Sequence, residues 1–262
     1  MLTEPAVDVR RPVAPVPETY RQTVARLQAA QKPVGRGAPA YSVHVNRRLG
    51  RFIAAAAFRF GLTPNQVTAL SAALTFAAIL LLALVPPTFW LGLAVTVLLA
   101  AGYAFDSADG QVARLRGGGS AAGEWLDHVI DAVKTSALHG AVLLLAYRFL
   151  VPADQRAWLL VPIGFMIVAA VSFAVFLLND LLRAARARTT TATAIRTGST
   201  PLRSLLGLPT DYGLLIYVFL LLGAPGAFVI AYTLLLAAHT GYLVLALPKW
   251  FRDMKAIEPA AS

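Results

Sequence analysis

The stretch Thr63-Pro64-Asn65-Gln66-Val-Thr-Ala-Leu-Ser-Ala-Ala-Leu-Thr-Phe-Ala-Ala-Ile-Leu-Leu-Leu-Ala-Leu-Val85 decides the fold class. Thr63 can cap a helix, Pro64 suits its first position, and Gln66 completes a Thr-x-x-Gln capping box. Gln66 to Val85 then runs 20 residues without a charge, about the length that crosses a bilayer core. Pro86-Pro87 ends it. Thr88 to Phe105 is a second uncharged run, and a third segment, Ala122 to Tyr147, is helical in pattern but carries Glu124, Asp127, His128, Asp131, Lys134 and His139. Ala157 to Asn179 is a fourth span, Pro209 to Gly223 a short fifth, and a sixth follows the turn Gly223-Ala224-Pro225-Gly226 as far as Leu247. The pattern predicts an all-α integral membrane protein with six transmembrane helices.

Composition agrees. Of 262 residues, 58% are hydrophobic and 14% charged, against about 45–50% and about 25% in soluble domains. A water-soluble enzyme, a disordered chain and a disulfide-stapled domain are excluded on these grounds. With no cysteine, thiolate and iron–sulfur chemistry are excluded as well.

Residues 1–40 hold six prolines and no long apolar run. They read as a disordered basic arm in which Glu18–Gln31 can form a short helix, with no secretory signal pattern. Residues 41–62 read as an amphipathic juxtamembrane helix. Val45, Leu49, Phe52, Ile53 and Ala56 share one face, while Arg47, Arg51 and Arg59 share another beside Arg48, as in a helix lying at the lipid headgroups. The six-helix domain then covers 63–250, and 251–262 form a tail.

The net charge of +10 is a topology signal. Ten Lys and Arg precede the first span, Arg114 and Arg116 lie in the second connection, five lie between Arg183 and Arg203, and three follow the last span. The opposite side has only Arg148 and Arg156. Positive residues stay inside, so both termini are expected in the cytoplasm, with the plasma membrane as location. No nucleic-acid motif is present, and no nucleic-acid partner is expected.

Chemistry concentrates in Asp106-Ser-Ala-Asp109-Gly110-Gln-Val-Ala113-Arg114, a Gly117-Gly118-Gly119 loop, and Gly123-Glu-Trp-Leu-Asp127-His-Val-Ile-Asp131. Carboxylates within membrane helices are costly and mark function. Asp106 and Asp109 are three apart, and Asp127 and Asp131 four apart, so each pair shares a helix face. Gathered together, four carboxylates repel unless cations neutralise them, and an all-oxygen ligand set favours Mg²⁺ or Mn²⁺. Hard divalent ions at a membrane suggest diphosphate chemistry, for which Arg114 adds a planar phosphate-binding fork.

These residues spell Asp-x-x-Asp-Gly-x-x-Ala-Arg, eight residues, then Gly-x-x-x-Asp-x-x-x-Asp. The pattern resembles the signature of the CDP-alcohol phosphotransferase (CDP-alcohol phosphatidyltransferase) family, and the resemblance extends over about 41–250. It implies that Asp106, Asp109 and Asp127 hold a divalent metal. Asp131 would complete the cluster and act as general base on an acceptor hydroxyl, which attacks the β-phosphorus of the CDP-alcohol and expels CMP. Gly110, Ala113 and Arg114 would receive the CDP moiety, Gly123 would permit close approach, and Asn65 would reach the nucleotide. CDP-diacylglycerol is the implied donor, and a homodimer is implied by the family alone.

The acceptor is less legible. Arg116-Gly117-Gly118-Gly119 resembles the loop of bacterial phosphatidylinositol-phosphate synthases. After the fourth helix, however, those enzymes carry a Lys-Ala-Arg-Ala-Glu-like stretch, where this chain has Asn179-Asp180-Leu-Leu-Arg183-Ala-Ala-Arg186-Ala-Arg188. Arg183, Arg186 and Arg188 remain candidates for an anionic acceptor. Gly123-Glu124-x-x-Asp127-His128 instead resembles choline/ethanolamine phosphotransferases, whose acceptor is diacylglycerol. Glu124, His128 and Lys134 are candidates for support around the cluster, with packing or solvated roles as their alternatives. Two other classes compete: an intramembrane prenyltransferase, whose acid motifs lie on well-separated segments, and a transporter, whose repeated halves are not seen here.

Overall fold

The computed structural model describes residues 18–31, 39–187 and 211–257, and every regular element among them is helical. Helix α1 (Tyr20–Ala29) lies within Glu18–Gln31 and opens with a Thr19/Gln22 capping box. A π-helical turn (Ser42–Asn46) leads into α2 (Arg47–Arg59). Then come α3 (Pro64–Leu84), α4 (Phe89–Leu115) and α5 (Ala121–Leu145), the last running on as a π-turn to Leu150. A 3₁₀ segment (Ala153–Leu159) enters α6 (Leu160–Ala187). Helix α7 (Tyr212–Val218) tightens to 3₁₀ over Phe219–Gly223, and α8 (Pro225–Lys255) closes the described chain.

Five helical runs, 64–84, 89–115, 121–150, 153–186 and 225–255, are long and apolar enough to cross a membrane. The protein is a multi-pass membrane protein. The expected fifth span corresponds to Tyr212–Gly223, which is apolar but too short to count with the others. Part of its expected start, residues 209–210, falls outside the described residues. Trp90 (72% exposed) stands at the start of α4 and Trp125 (67%) at the start of α5, the opposite ends of an antiparallel pair. Aromatic rings at both ends fit the two membrane interfaces.

The predicted start of α3 is present in full: Thr63 caps, Gln66 reaches back to the Thr63 N–H, and Pro64 occupies the first turn. Helix α3 packs most densely against α4, which also packs on α2, and the other side of α3 carries α5. Close approach is set by Gly102, where a Cβ would collide with Thr75 of α3. In the half of the bundle away from the acidic residues, Leu99, Leu138, Val142, Phe165, Phe219 and Phe228 form the main core. His139 lies there, stacked on Phe165, with Nδ1 2.6 Å from the Tyr232 hydroxyl. It is a satisfied core residue.

Helix α2 buries its small residues Gly50, Ala54, Ala55 and Ala57. The α2–α4 approach is close enough that a Cβ at Gly50 would sit 2.8 Å from Ser107 Oγ. Leu49 and Phe52 stay about half exposed, which leaves an apolar surface free for lipid, as the amphipathic pattern predicts.

Candidate active site

Three helices build the site. α4 brings Asp106 and Asp109, α5 brings Asp127 and Asp131 after a turn in which Gly117 (φ +92°) and Gly118 (φ +135°) adopt backbone that glycine favours. α3 lies across both and adds hydroxyls. One carboxylate oxygen each from Asp106, Asp127 and Asp131 lies within 4.8 Å of the other two. Asp127 Oδ1 is buried without a hydrogen-bond partner. A bare carboxylate oxygen is costly to bury, and here it belongs to a three-carboxylate set. Those donors fit a hard divalent cation such as Mg²⁺ or Mn²⁺.

Asp109 stands apart from this trio. It is 7% exposed and accepts from Thr68 Oγ1 at 2.7 Å and from the Gly110 N–H. Lys134 joins the two acidic helices: its Nζ donates to Asp106 Oδ1 at 2.7 Å, to Asp131 Oδ1 at 3.2 Å and to Ser71 Oγ at 3.1 Å. Ser71 in turn donates to the Gly102 carbonyl at 2.9 Å. Thr68 and Ser71 belong to no motif that the sequence displays. The signal was present, because Thr68, Ser71 and Thr75 recur at three- and four-residue spacing along an otherwise apolar helix.

The nucleotide candidates flank the trio. Gly110 is exposed, and a Cβ there would meet nothing closer than its own helix's Arg114 Nη1 at 3.8 Å. Ala113 and Arg114 follow on partly buried positions, and Arg114 Nε is buried without a partner. Gly123 abuts Asn65, since a Cβ on Gly123 would sit 3.0 Å from Asn65 Oδ1 and 3.2 Å from Ser120 Oγ. Two candidates drawn from different segments are thus neighbours.

Other candidates are placed elsewhere. Glu124 and His128 pair with each other at 4.0 Å, the Glu124 side chain 72% exposed. Arg183 pairs with Asp253 of α8 at 3.6 Å, and Arg186 is exposed near the end of α6. Arg188 lies outside the described residues. A cavity of about 230 Å³ opens beside Asp106, Asp131 and Lys134, with Thr75, Tyr103, Thr135 and Tyr212 on its walls. It reaches one turn deeper into the bundle than the acidic trio.

The chain has relatives. The model of the CDP-alcohol phosphatidyltransferase family matches residues 61–246. The phosphatidylinositol phosphate synthase of Corynebacterium glutamicum is 42% identical over 80 residues, which are 30% of this chain and 35% of that one. The match therefore spans about a third of that relative's length. The crystal structure of Mycobacterium tuberculosis phosphatidylinositol phosphate synthase with CDP-DAG bound has a TM-score of 0.54 at 23% identity. That alignment covers 82% of this chain and 100% of the other, and shows a shared fold. With a family match over most of its length and the acidic signature on α4 and α5, this chain belongs to the CDP-alcohol phosphatidyltransferase family.

Proposed function

We propose that this protein transfers a phosphatidyl group from CDP-diacylglycerol to an acceptor hydroxyl, releasing CMP, in phospholipid biosynthesis. The observation that carries the reading is the convergence of Asp106, Asp127 and Asp131 beside the open Gly110 face and Arg114. The buried, unpartnered guanidinium Nε of Arg114 suits a diphosphate oxygen. Gly110 and Gly123 leave room for the nucleotide, with Asn65 at its edge.

A divalent ion held by the carboxylates would neutralise the diphosphate and the departing phosphate. The remaining work falls to the chain itself. Asp131, on the wall of the cavity, accepts the proton of the acceptor hydroxyl. The oxygen so freed forms a bond to the β-phosphorus as the bond from that phosphorus to the CMP oxygen breaks. Lys134 keeps Asp106 and Asp131 together while this happens.

The charge distribution along the chain supports a cytoplasmic site and cytoplasmic termini, and the compact domain supports the plasma membrane as location. We further propose that the chain divides into an arm at 1–40, a juxtamembrane helix at 41–62, the transferase domain at 63–250 and a tail at 251–262. A choline/ethanolamine-type reaction with diacylglycerol as acceptor is favoured only by Gly123-Glu124-x-x-Asp127-His128, and Glu124 and His128 face each other at an exposed helix end.

The test is CMP release by detergent-purified protein with Mg²⁺ or Mn²⁺. CDP-diacylglycerol, CDP-choline and CDP-ethanolamine are offered in parallel, each with a panel of acceptor alcohols. Metal-dependent CMP from CDP-diacylglycerol supports the reading, CMP from CDP-choline or CDP-ethanolamine alone replaces it with the second, and a folded protein that binds none of the donors overturns both.

A further inference from the structure

We propose that α1, which precedes the family-matched region, is a brace that holds the nucleotide-facing turn of α4 in place. The inference rests on the proposed function for its kinetic consequence, but its structural basis is separate. A ten-residue helix is too short to be stable alone, so α1 is ordered by what it touches. Leu27 is 1% exposed and belongs to a small apolar cluster that includes Ala54, Ala57, Val67, Ala108 and Val112. Ala108 and Val112 bracket Asp109-Gly110-Gln111 in α4.

Two polar links run to the same turn. Gln31 Nε2 donates to Gln111 Oε1 at 3.1 Å, and Gln111, 2% exposed, donates in turn to the Arg47 and Ser107 carbonyls. Gln111 thus ties the back of the turn to both α1 and the start of α2. Arg26 of α1 and Arg116 at the end of α4 both lie over the Phe58 ring, at 5.4 and 5.7 Å from its centroid. Arg116 also donates to the Gly61 and Leu62 carbonyls at 2.8 and 3.0 Å, which fixes the point where the Gly117-Gly118 turn departs. Further contacts, Arg59 Nη1 to the Glu18 carbonyl at 2.6 Å and Tyr20 hydroxyl to the Phe52 carbonyl at 3.1 Å, seat α1 on α2.

The geometry is one of front and back. Asp106, Gly110 and Ala113 share the face of α4 turned to the site, while Ala108, Gln111, Val112 and Leu115 share the face against α2 and α1. Nucleotide binding depends on Gly110, Ala113 and Arg114 being held in place before the ligand arrives, and preorganisation of this kind acts on affinity. α1 is therefore a positioning element for nucleotide binding and makes no contact with the reacting atoms.

The experiment uses the full chain in detergent with Mn²⁺. Leu27→Asp expels α1, Leu27→Met keeps the apolar plug, and Gln31→Ala removes the link to Gln111 together with the bond from the same Nε2 to the Leu27 carbonyl at 3.3 Å. Amide hydrogen exchange is measured over 107–119 alongside binding of CDP and the KM and kcat for CMP release. The brace predicts faster exchange over 107–119 in Leu27→Asp, about tenfold weaker CDP binding and higher KM, and kcat within about twofold. Leu27→Met should match the native chain, and Gln31→Ala should move the same way by less. Unchanged exchange over 107–119 overturns the proposal, as does a uniform loss of protection across α3, α4 and α5, which would make α1 a general stabiliser. Should the native chain bind no CDP at all, the proposed function fails while the exchange comparison still decides the brace.

Discussion

Lys134 Nζ lies 2.7 Å from Asp106 Oδ1 and ties α5 to α4 at the level of the acidic trio. The same ammonium reaches Asp131 at 3.2 Å, so one cation holds two carboxylates that would otherwise repel. Both ends are largely buried, the Lys134 side chain 11% and the Asp106 side chain 23% exposed. Removing one member of a fully buried pair leaves charge uncompensated and costs about 3–5 kcal/mol, and less where, as here, one carboxylate is partly exposed. Lys134→Met should therefore melt earlier than the native chain in EDTA, and saturating Mn²⁺ should restore most of the loss. Thermal unfolding in detergent, with and without Mn²⁺, checks this. Equal melting of the two proteins in EDTA would show that the pair contributes nothing.

Asp131 and Asp127 should separate base from ligand. Loss of a general base costs about 100- to 10,000-fold in rate, so Asp131→Asn should abolish most CMP release while Mn²⁺ still binds through the remaining carboxylates. Asp127→Asn replaces the bare buried oxygen set and should chiefly raise the Mn²⁺ concentration needed for activity. Titration of Mn²⁺ by electron paramagnetic resonance, run beside the CMP assay, distinguishes the two. Identical metal-binding curves for both variants would remove the distinction.

Gly123 and Asn65 should behave as one unit. A methyl at 123 would sit 3.0 Å from Asn65 Oδ1, so that the Asn65 amide must give way by a few tenths of an ångström at the nucleotide edge. Gly123→Ala and Asn65→Ala should each raise KM for the CDP-alcohol several-fold. The double variant should be no worse than Asn65→Ala, because contacting residues are not additive. Additive losses in the double variant would mean that the two positions act on different parts of the substrate.

How much of this could be read in the chain depends on the range of the interaction. The start of α3 and five of the six expected spans follow from patterns within a few residues of each other, and these appear where periodicity and capping place them. The site's supports do not. Thr68 and Ser71 meet Asp109 and Lys134 only because Gly102 lets α3 close on α4. Arg183 reads as an anion ligand along the sequence, yet α8 brings Asp253 to it from 70 residues away. The segment expected as a fifth span tightens into 3₁₀ turns at Phe219–Gly223, which apolar composition alone does not reveal.

The latch between the N-terminal segment and α7 is the longest-range of these supports. Asp211 is 1% exposed; its Oδ2 accepts the Tyr41 N–H at 2.7 Å and its Oδ1 caps α7 at the Gly213 N–H, 3.0 Å away. Gly213 has no room for a Cβ because the Tyr41 ring lies against it, and Tyr41 stacks on Tyr103, whose ring lines the cavity beside Asp131. Asp211→Ala breaks two hydrogen bonds to a buried carboxylate, each worth about 1.5–3 kcal/mol, and frees the segment that leads into α2. Asp211→Asn keeps one acceptor oxygen and should cost about half as much. The expected result is lower thermal stability in that order, with Gly213→Ala joining the severe class because it unseats the same tyrosine. Unfolding midpoints of the three variants check the series, and a harmless Gly213→Ala would mean that Tyr41 does not depend on α7 for its place.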